Sequence, residues 1–60
     1  MRTIIKNEFG YTISEIEYDG HCVTGGVITL DKGRFSCIGV MYAKDAVTNE
    51  IYREVYIKYY

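Results

Sequence analysis

Three short turn signals, each set between runs of β-forming residues, constrain this chain more than anything else in it. "KNEFGYT" offers Asn7-Glu8-Phe9-Gly10, "LDKGRF" offers Asp31-Lys32-Gly33, and "KDAVTNEIY" runs from Lys44 through Asp45 and Asn49 to Tyr52. Glycine takes a positive φ without steric cost, and Asx side chains bond their own backbone two residues on. Gly10 and Gly33 are therefore expected to close hairpin loops, the second of about three to four residues. Asp45 is expected to open a type I turn centred on Ala46 and Val47, with Asn49 left-handed at its close. Asp19-Gly20 and Thr24-Gly25-Gly26 punctuate what lies between. Five strands follow, over 2–6, 11–18, 27–31, 34–43 and 51–60. The expected fold is a single all-β domain, 1–60, built as a small antiparallel meander.

The last stretch, "IYREVYIKYY", fits two templates. On a helical wheel Ile51, Tyr52, Val55, Tyr56, Tyr59 and Tyr60 share one half. As a strand, Ile51, Arg53, Val55, Ile57 and Tyr59 face one way and Tyr52, Glu54, Tyr56, Lys58 and Tyr60 the other. Periodicity alone leans to the helix, and the alternative fold is α+β with that helix on the sheet. Residue identity decides for the strand, because Ile, Val and Tyr pack well on pleated surfaces and the upstream turn calls for a returning strand.

Burial is the difficulty. Strand 34–43 is expected to place Phe35, Cys37, Gly39, Met41 and Ala43 on one face, with Ile38, Val40 and Tyr42 on the other. A flat helix-free sheet covers neither face. Either the sheet curls into a small barrel, with Gly39 as the bend, or two copies complete it as a homodimer. The final strand has no successor in sequence, which suggests a sheet edge guarded by Arg53, Glu54 and Lys58.

Sixty residues make a marginal core. With 48% hydrophobic residues and nine aromatics the chain is a folding one. A net charge of −1 argues against a phosphate-binding footprint. No apolar run approaches the roughly 20 residues of a membrane span, and Met1–Lys6 lacks a signal peptide's apolar segment. A cytoplasmic location is expected, with Cys22 and Cys37 as small buried hydrophobes rather than a disulfide.

No motif here carries catalysis, a metal or a cofactor. Asp19, His21 and Cys22 fall within one turn, but adjacent strand residues point to opposite faces and cannot cooperate. An exposed His21 beside a buried Cys22 is the expectation. Zinc would want four Cys/His ligands, and only three are present. Thr24-Gly25-Gly26 lacks the context of a phosphate loop. Glu15, Glu17 and Asp19 read as a solvated acidic face. No enzyme is expected.

Tyrosine is the remaining signal, with four of seven in the last ten residues. Tyr52, Tyr56 and Tyr60 can form a structural cross-strand ladder or a recognition surface. The second reading makes the protein a non-enzymatic binding module for a protein partner, as a homo-oligomer. Its contacts would come from Tyr42, Tyr52, Glu54, Tyr56, Lys58, Tyr59 and Tyr60 with Glu15 and Glu17. The alternative is a single-stranded nucleic-acid-binding small barrel that stacks bases on tyrosine. The general look, short, proline-free and rich in tyrosine and isoleucine, is similar to that of many small phage-encoded accessory proteins. That likeness implies an inhibitor that blocks a host enzyme or defence protein in the host cytoplasm.

Overall fold

The computed structural model describes residues 1–59 as one five-stranded sheet without a helix, curled into a half-barrel. The strands are β1 (Arg2–Asn7), β2 (Thr12–Glu17), β3 (Val27–Leu30), β4 (Gly33–Lys44) and β5 (Ile51–Tyr59). The fold class is all-β and the strand choice for the last segment holds.

The three turns form as their chemistry dictates. The Gly10 amide donates to the Asn7 carbonyl at 3.0 Å with Gly10 at φ 88°, while Asn7 Oδ1 accepts from the amides of Phe9 and Tyr11. Gly33 sits at φ 130° and opposes Leu30, so that loop is shorter than expected, with Asp31 and Lys32 alone between the strands. Asp45 Oδ1 accepts from the amides of Val47 and Thr48 at 2.8 and 3.2 Å, and Asn49 closes the loop at φ 60°.

Topology departs from the expected meander. The order is β2-β1-β5-β4-β3, and β1 pairs with β5 in parallel, Ile5 beside Val55. The final strand is thus the centre of the sheet, and the edges are β2 and β3. The physical reason is burial. β5 is the strand richest in Ile, Val and Tyr on both faces, so it gains most from neighbours on both sides. β2, with Glu15 and Glu17, loses least at an edge.

Two bulges curl the sheet. In β4 the register slips between Cys37 and Gly39, leaving Ile38 unpaired. An extra residue reverses the alternation beyond it. Phe35 and Cys37 therefore share the concave face with Val40 and Tyr42, whereas Gly39, Met41 and Ala43 turn outward, which overturns the single-face grouping expected for this strand. The bend expected at Gly39 is this bulge, one residue earlier. A second slip, opposite Ile5 and Lys6, falls at Ile13.

The concave face holds the core: Ile5, Val55, Ile57, Cys37, Ile28 and Cys22, flanked by Ile16, Tyr18, Leu30, Phe35 and Val40. Both cysteines are free and buried, as expected. One end of this concavity is closed by segment 18–26, which Arg53 holds. Arg53 is 6% exposed. Its Nε and one Nη donate to Thr3 Oγ1 at 3.2 and 3.1 Å, the same Nη to the Tyr18 carbonyl at 2.6 Å, and the other Nη to the Gly20 carbonyl at 3.1 Å. The Thr3 hydroxyl in turn donates to the Met1 carbonyl. Farther along, the Gly25 amide donates to the Cys37 carbonyl and the Cys37 amide to the Gly26 carbonyl, both at 2.9 Å. Arg53 does not guard an edge. It ties a crossing segment to the central strand.

Two outcomes follow. Arg53→Met keeps the aliphatic stem but orphans the carbonyls of Tyr18 and Gly20, so urea unfolding should show a loss of about 2–4 kcal/mol, with amide exchange accelerated first in 18–26. The Asp45 carboxyl lies below its usual range, held there by the Val47 and Thr48 amides and then by Arg2. A depressed carboxylate contributes stability that is present at neutral pH and lost as pH falls through its folded value. Asp45→Ala should therefore shrink the stability difference between neutral pH and about pH 3, measured by denaturation at each pH.

Candidate interaction surface

The described residues expected to form one recognition surface are divided among four places. Tyr52, Glu54 and Tyr56 lie on the convex face of β5, each half-buried. The Arg2 guanidinium carbon lies 5.3 Å from the Tyr52 ring centroid, and Lys6 Nζ lies 5.8 Å from that of Tyr56. Lys6 also pairs with Glu54, which holds the ammonium above its ordinary value. Gly39 stands opposite Tyr56, and the space where its Cβ would lie is 3.7 Å from the Tyr56 ring. On this face Tyr52 and Tyr56 are covered by cations from the parallel strand next door.

Glu15 and Glu17 lie on the convex side of edge strand β2. Glu15 pairs with Arg2 and Glu17 with the Met1 ammonium at 3.1 Å. Tyr42 is opposite Arg53 at the closed end and 61% exposed. Tyr60 lies outside the described residues. Among the described residues Lys58 and Tyr59 of β5 reach the open end, where Glu17 also borders the cleft. Tyr59 is 88% exposed and touches Phe35, ring centroids 5.5 Å apart.

That open end is the site the residues build. The concavity continues there into a cleft of about 860 Å³, running along β2 between the β1–β2 turn on one lip and the β3–β4 turn on the other. Ile57 and Phe35 form its floor, with Leu30, Ile13, Phe9 and Tyr59 at the mouth. Phe9 is 78% exposed and Ile13 52%. Apolar groups gathered at a concave mouth with charged neighbours mark an interaction surface, whereas scattered ones do not. Its charges are Glu8 on the β1–β2 turn, Glu17 on β2, Asp31 and Lys32 on the β3–β4 turn and Lys58 on β5.

Phe9 and Ile13 went unnoticed in the sequence, although Phe9 carried a signal. A large aromatic at the tip of a tight hairpin turn has no sheet to pack on, so its exposure was legible. Ile13 was not, since its bulge depends on pairing.

His21 is exposed and Cys22 buried, as expected. Asp19 is held below its ordinary range by the terminal ammonium, which donates to it at 2.9 Å. Thr24-Gly25-Gly26 is a turn, with the Gly26 amide on the Val23 carbonyl. Among the described residues no group of three His, Cys, Asp or Glu could hold a metal ion.

Burial pushes the Cys22 thiol up, and Arg53 only partly opposes this. At neutral pH it is therefore protonated as well as shielded, and thiolate is the reactive form. A disulfide reagent should label both cysteines slowly in the native state and rapidly in denaturant. Cys22 should be released first when Arg53→Met frees the segment above it.

No family model, no curated protein and no solved structure matches this chain.

Proposed function

We propose that this protein is a non-enzymatic binding module that docks a protein partner at the open end of its half-barrel. One observation carries the reading: Phe9, Ile13 and Tyr59 stand largely in solvent around an apolar cleft, at 78%, 52% and 88% exposure. Keeping three such side chains in water forgoes burial worth of order 1.5–3 kcal/mol for a largely exposed side chain such as that of Phe9, and less for half-covered Ile13. A partner that covers them recovers it.

The convex tyrosines contribute differently. Arg2 and Lys6 already cover Tyr52 and Tyr56, so these rings offer a half-satisfied flank rather than an anchor. A second copy was one of two ways to cover the sheet, and the curl now covers most of the concave face. Self-association through the mouth is therefore one form of the same docking. The likeness to small phage-encoded accessory proteins adds the class of partner, a host enzyme or defence protein whose surface the module occludes.

Stacking of single-stranded nucleic acid is less well supported. The cleft is bordered by Glu8, Glu17 and Asp31 against Lys32 and Lys58, which is no basic groove.

The test compares the wild-type chain with a Phe9→Ser, Tyr59→Ser variant of unchanged circular dichroism. The wild type should retain from its source lysate a nuclease-resistant partner that the variant loses. Equal retention by both, or oligonucleotide binding that falls steeply with salt, would overturn the reading.

A further inference from the structure

We propose that the cleft takes an extended polypeptide strand with alternating basic and apolar side chains, laid along the free edge of β2 as a sixth strand. The inference rests on the binding-module reading and specifies how the partner is held.

Backbone direction comes first. The Tyr18 amide donates to the Met1 carbonyl at 3.1 Å, and the antiparallel register sets Glu17 against Arg2, Ile16 against Thr3 and Glu15 against Ile4. Hydrogen-bonded and non-hydrogen-bonded pairs alternate in such a ladder. The peptide groups of Tyr18 and Ile16 therefore face β1, and those of Glu15 and Glu17 face the open side. Apart from Ile16, every residue of β2 is exposed. An edge of this kind is a template for another strand.

Length fits next. β2 is six residues long, and the cleft of about 860 Å³ runs along it. A strand of that length, about 3.3 Å per residue, would lie about 4.8 Å from β2 with only its inward side chains on the cleft side. Alternate side chains of the incoming strand would meet Ile16, Leu30, Phe35 and Ile57 inside.

Charge selects the occupant. Residues 7–20 hold Glu8, Glu15, Glu17 and Asp19 and no Lys, Arg or His. Within the chain Arg2 meets Glu15 and the Met1 ammonium is shared by Glu17 and Asp19, so three carboxylates face two cations. Glu15 and Glu17 project from the convex side of β2, where the outward side chains of a sixth strand would lie beside them. The molecule already contains the template. On the opposite side of β2, β1 presents apolar Ile5 inward and Arg2 outward, and Arg2 pairs with Glu15. A carboxylate has two oxygens and room for a second cation. Glutamates at an edge keep away strands like β2 itself, and they admit one bearing lysine or arginine.

The probe is a lysine–valine alternating hexapeptide, blocked at both ends, titrated into the ¹⁵N-labelled full chain. The amides of Glu15 and Glu17 should shift and exchange at least tenfold more slowly. A glutamate–valine peptide should bind at least tenfold more weakly, and N-methylation of alternate peptide amides should abolish binding. A Glu15→Gln, Glu17→Gln variant should keep the fold and lose most of the discrimination between the two peptides. The proposal is overturned by any of three results: no binding at millimolar peptide, undiminished binding after N-methylation, or Glu15 and Glu17 amides already protected by a second copy in light-scattering dimers. If the hexapeptide fails while Phe9→Ser, Tyr59→Ser still loses its lysate partner, strand addition falls and the binding-module reading stands. If that variant also retains every partner, both fall.

Discussion

The Arg53 guanidinium, buried with no carboxylate within ion-pair reach among the described residues, is the contact on which the remaining architecture depends. A cation taken out of water costs several kcal/mol unless hydrogen bonds replace its hydration. Here the Tyr18 and Gly20 carbonyls and the Thr3 hydroxyl supply them, with the Tyr18 ring 5.7 Å from the guanidinium. These groups belong to β1 and to the crossing segment, while Arg53 belongs to β5. The geometry is satisfied only when the segment folds back over the sheet. One side chain thereby joins the two edge strands' connection to the central strand and closes one end of the half-barrel. Gly20 fits this arrangement: a Cβ there would lie 2.6 Å from the Tyr18 ring.

Much of this was legible in the residues, and what was not has a single cause. The turns at Gly10, Gly33 and Asp45 formed where local chemistry placed them, because a turn is decided by four or five neighbouring residues. Pairing is decided at a distance. Nothing near Val55 announces Ile5, fifty residues earlier, as its parallel neighbour, so the last strand read as an edge. The bulge at Ile38 is similar, since its one-residue slip exists only against Tyr56 and Ile57, yet it reverses the facing of every residue after it. Arg53 was the missed clue. A lone arginine in the row Ile51, Val55, Ile57, Tyr59 is poorly explained by edge protection and well explained by a buried cation with carbonyl partners.

The tyrosines divide along the same lines. A phenol ring packs as a hydrophobe while its hydroxyl stays wet, so tyrosine suits a sheet face that is half covered. Tyr52 and Tyr56 meet that condition because the parallel strand brings Arg2 and Lys6 above their rings, a pairing that neither hairpin could supply. Tyr59 lies beyond the last β1 partner, since the register of the two strands ends at Asn7 and Ile57. It keeps Phe35 as a neighbour and is otherwise in solvent. Composition made the final strand look uniform, and the length of its neighbour decides which rings are covered and which stand in solvent.

The two ends of the half-barrel therefore differ for a physical reason. At one end the chain passes directly from β2 to β3, and a buried cation fixes that passage. At the other, hairpin turns, Asn7 to Tyr11 and Leu30 to Gly33, join each edge strand to its own neighbour, and no segment among the described residues spans the gap. Closing the barrel from within would need a further strand between β2 and β3, and their connection is already committed to the closed end. The strand order thus makes the apolar mouth a consequence of the same contact that stabilises the fold. An occupant of the mouth meets a floor of Ile57 and Phe35 and, on the convex side of the β2 edge, Glu15 and Glu17, which is why backbone pairing, apolar burial and positive charge converge on one kind of segment.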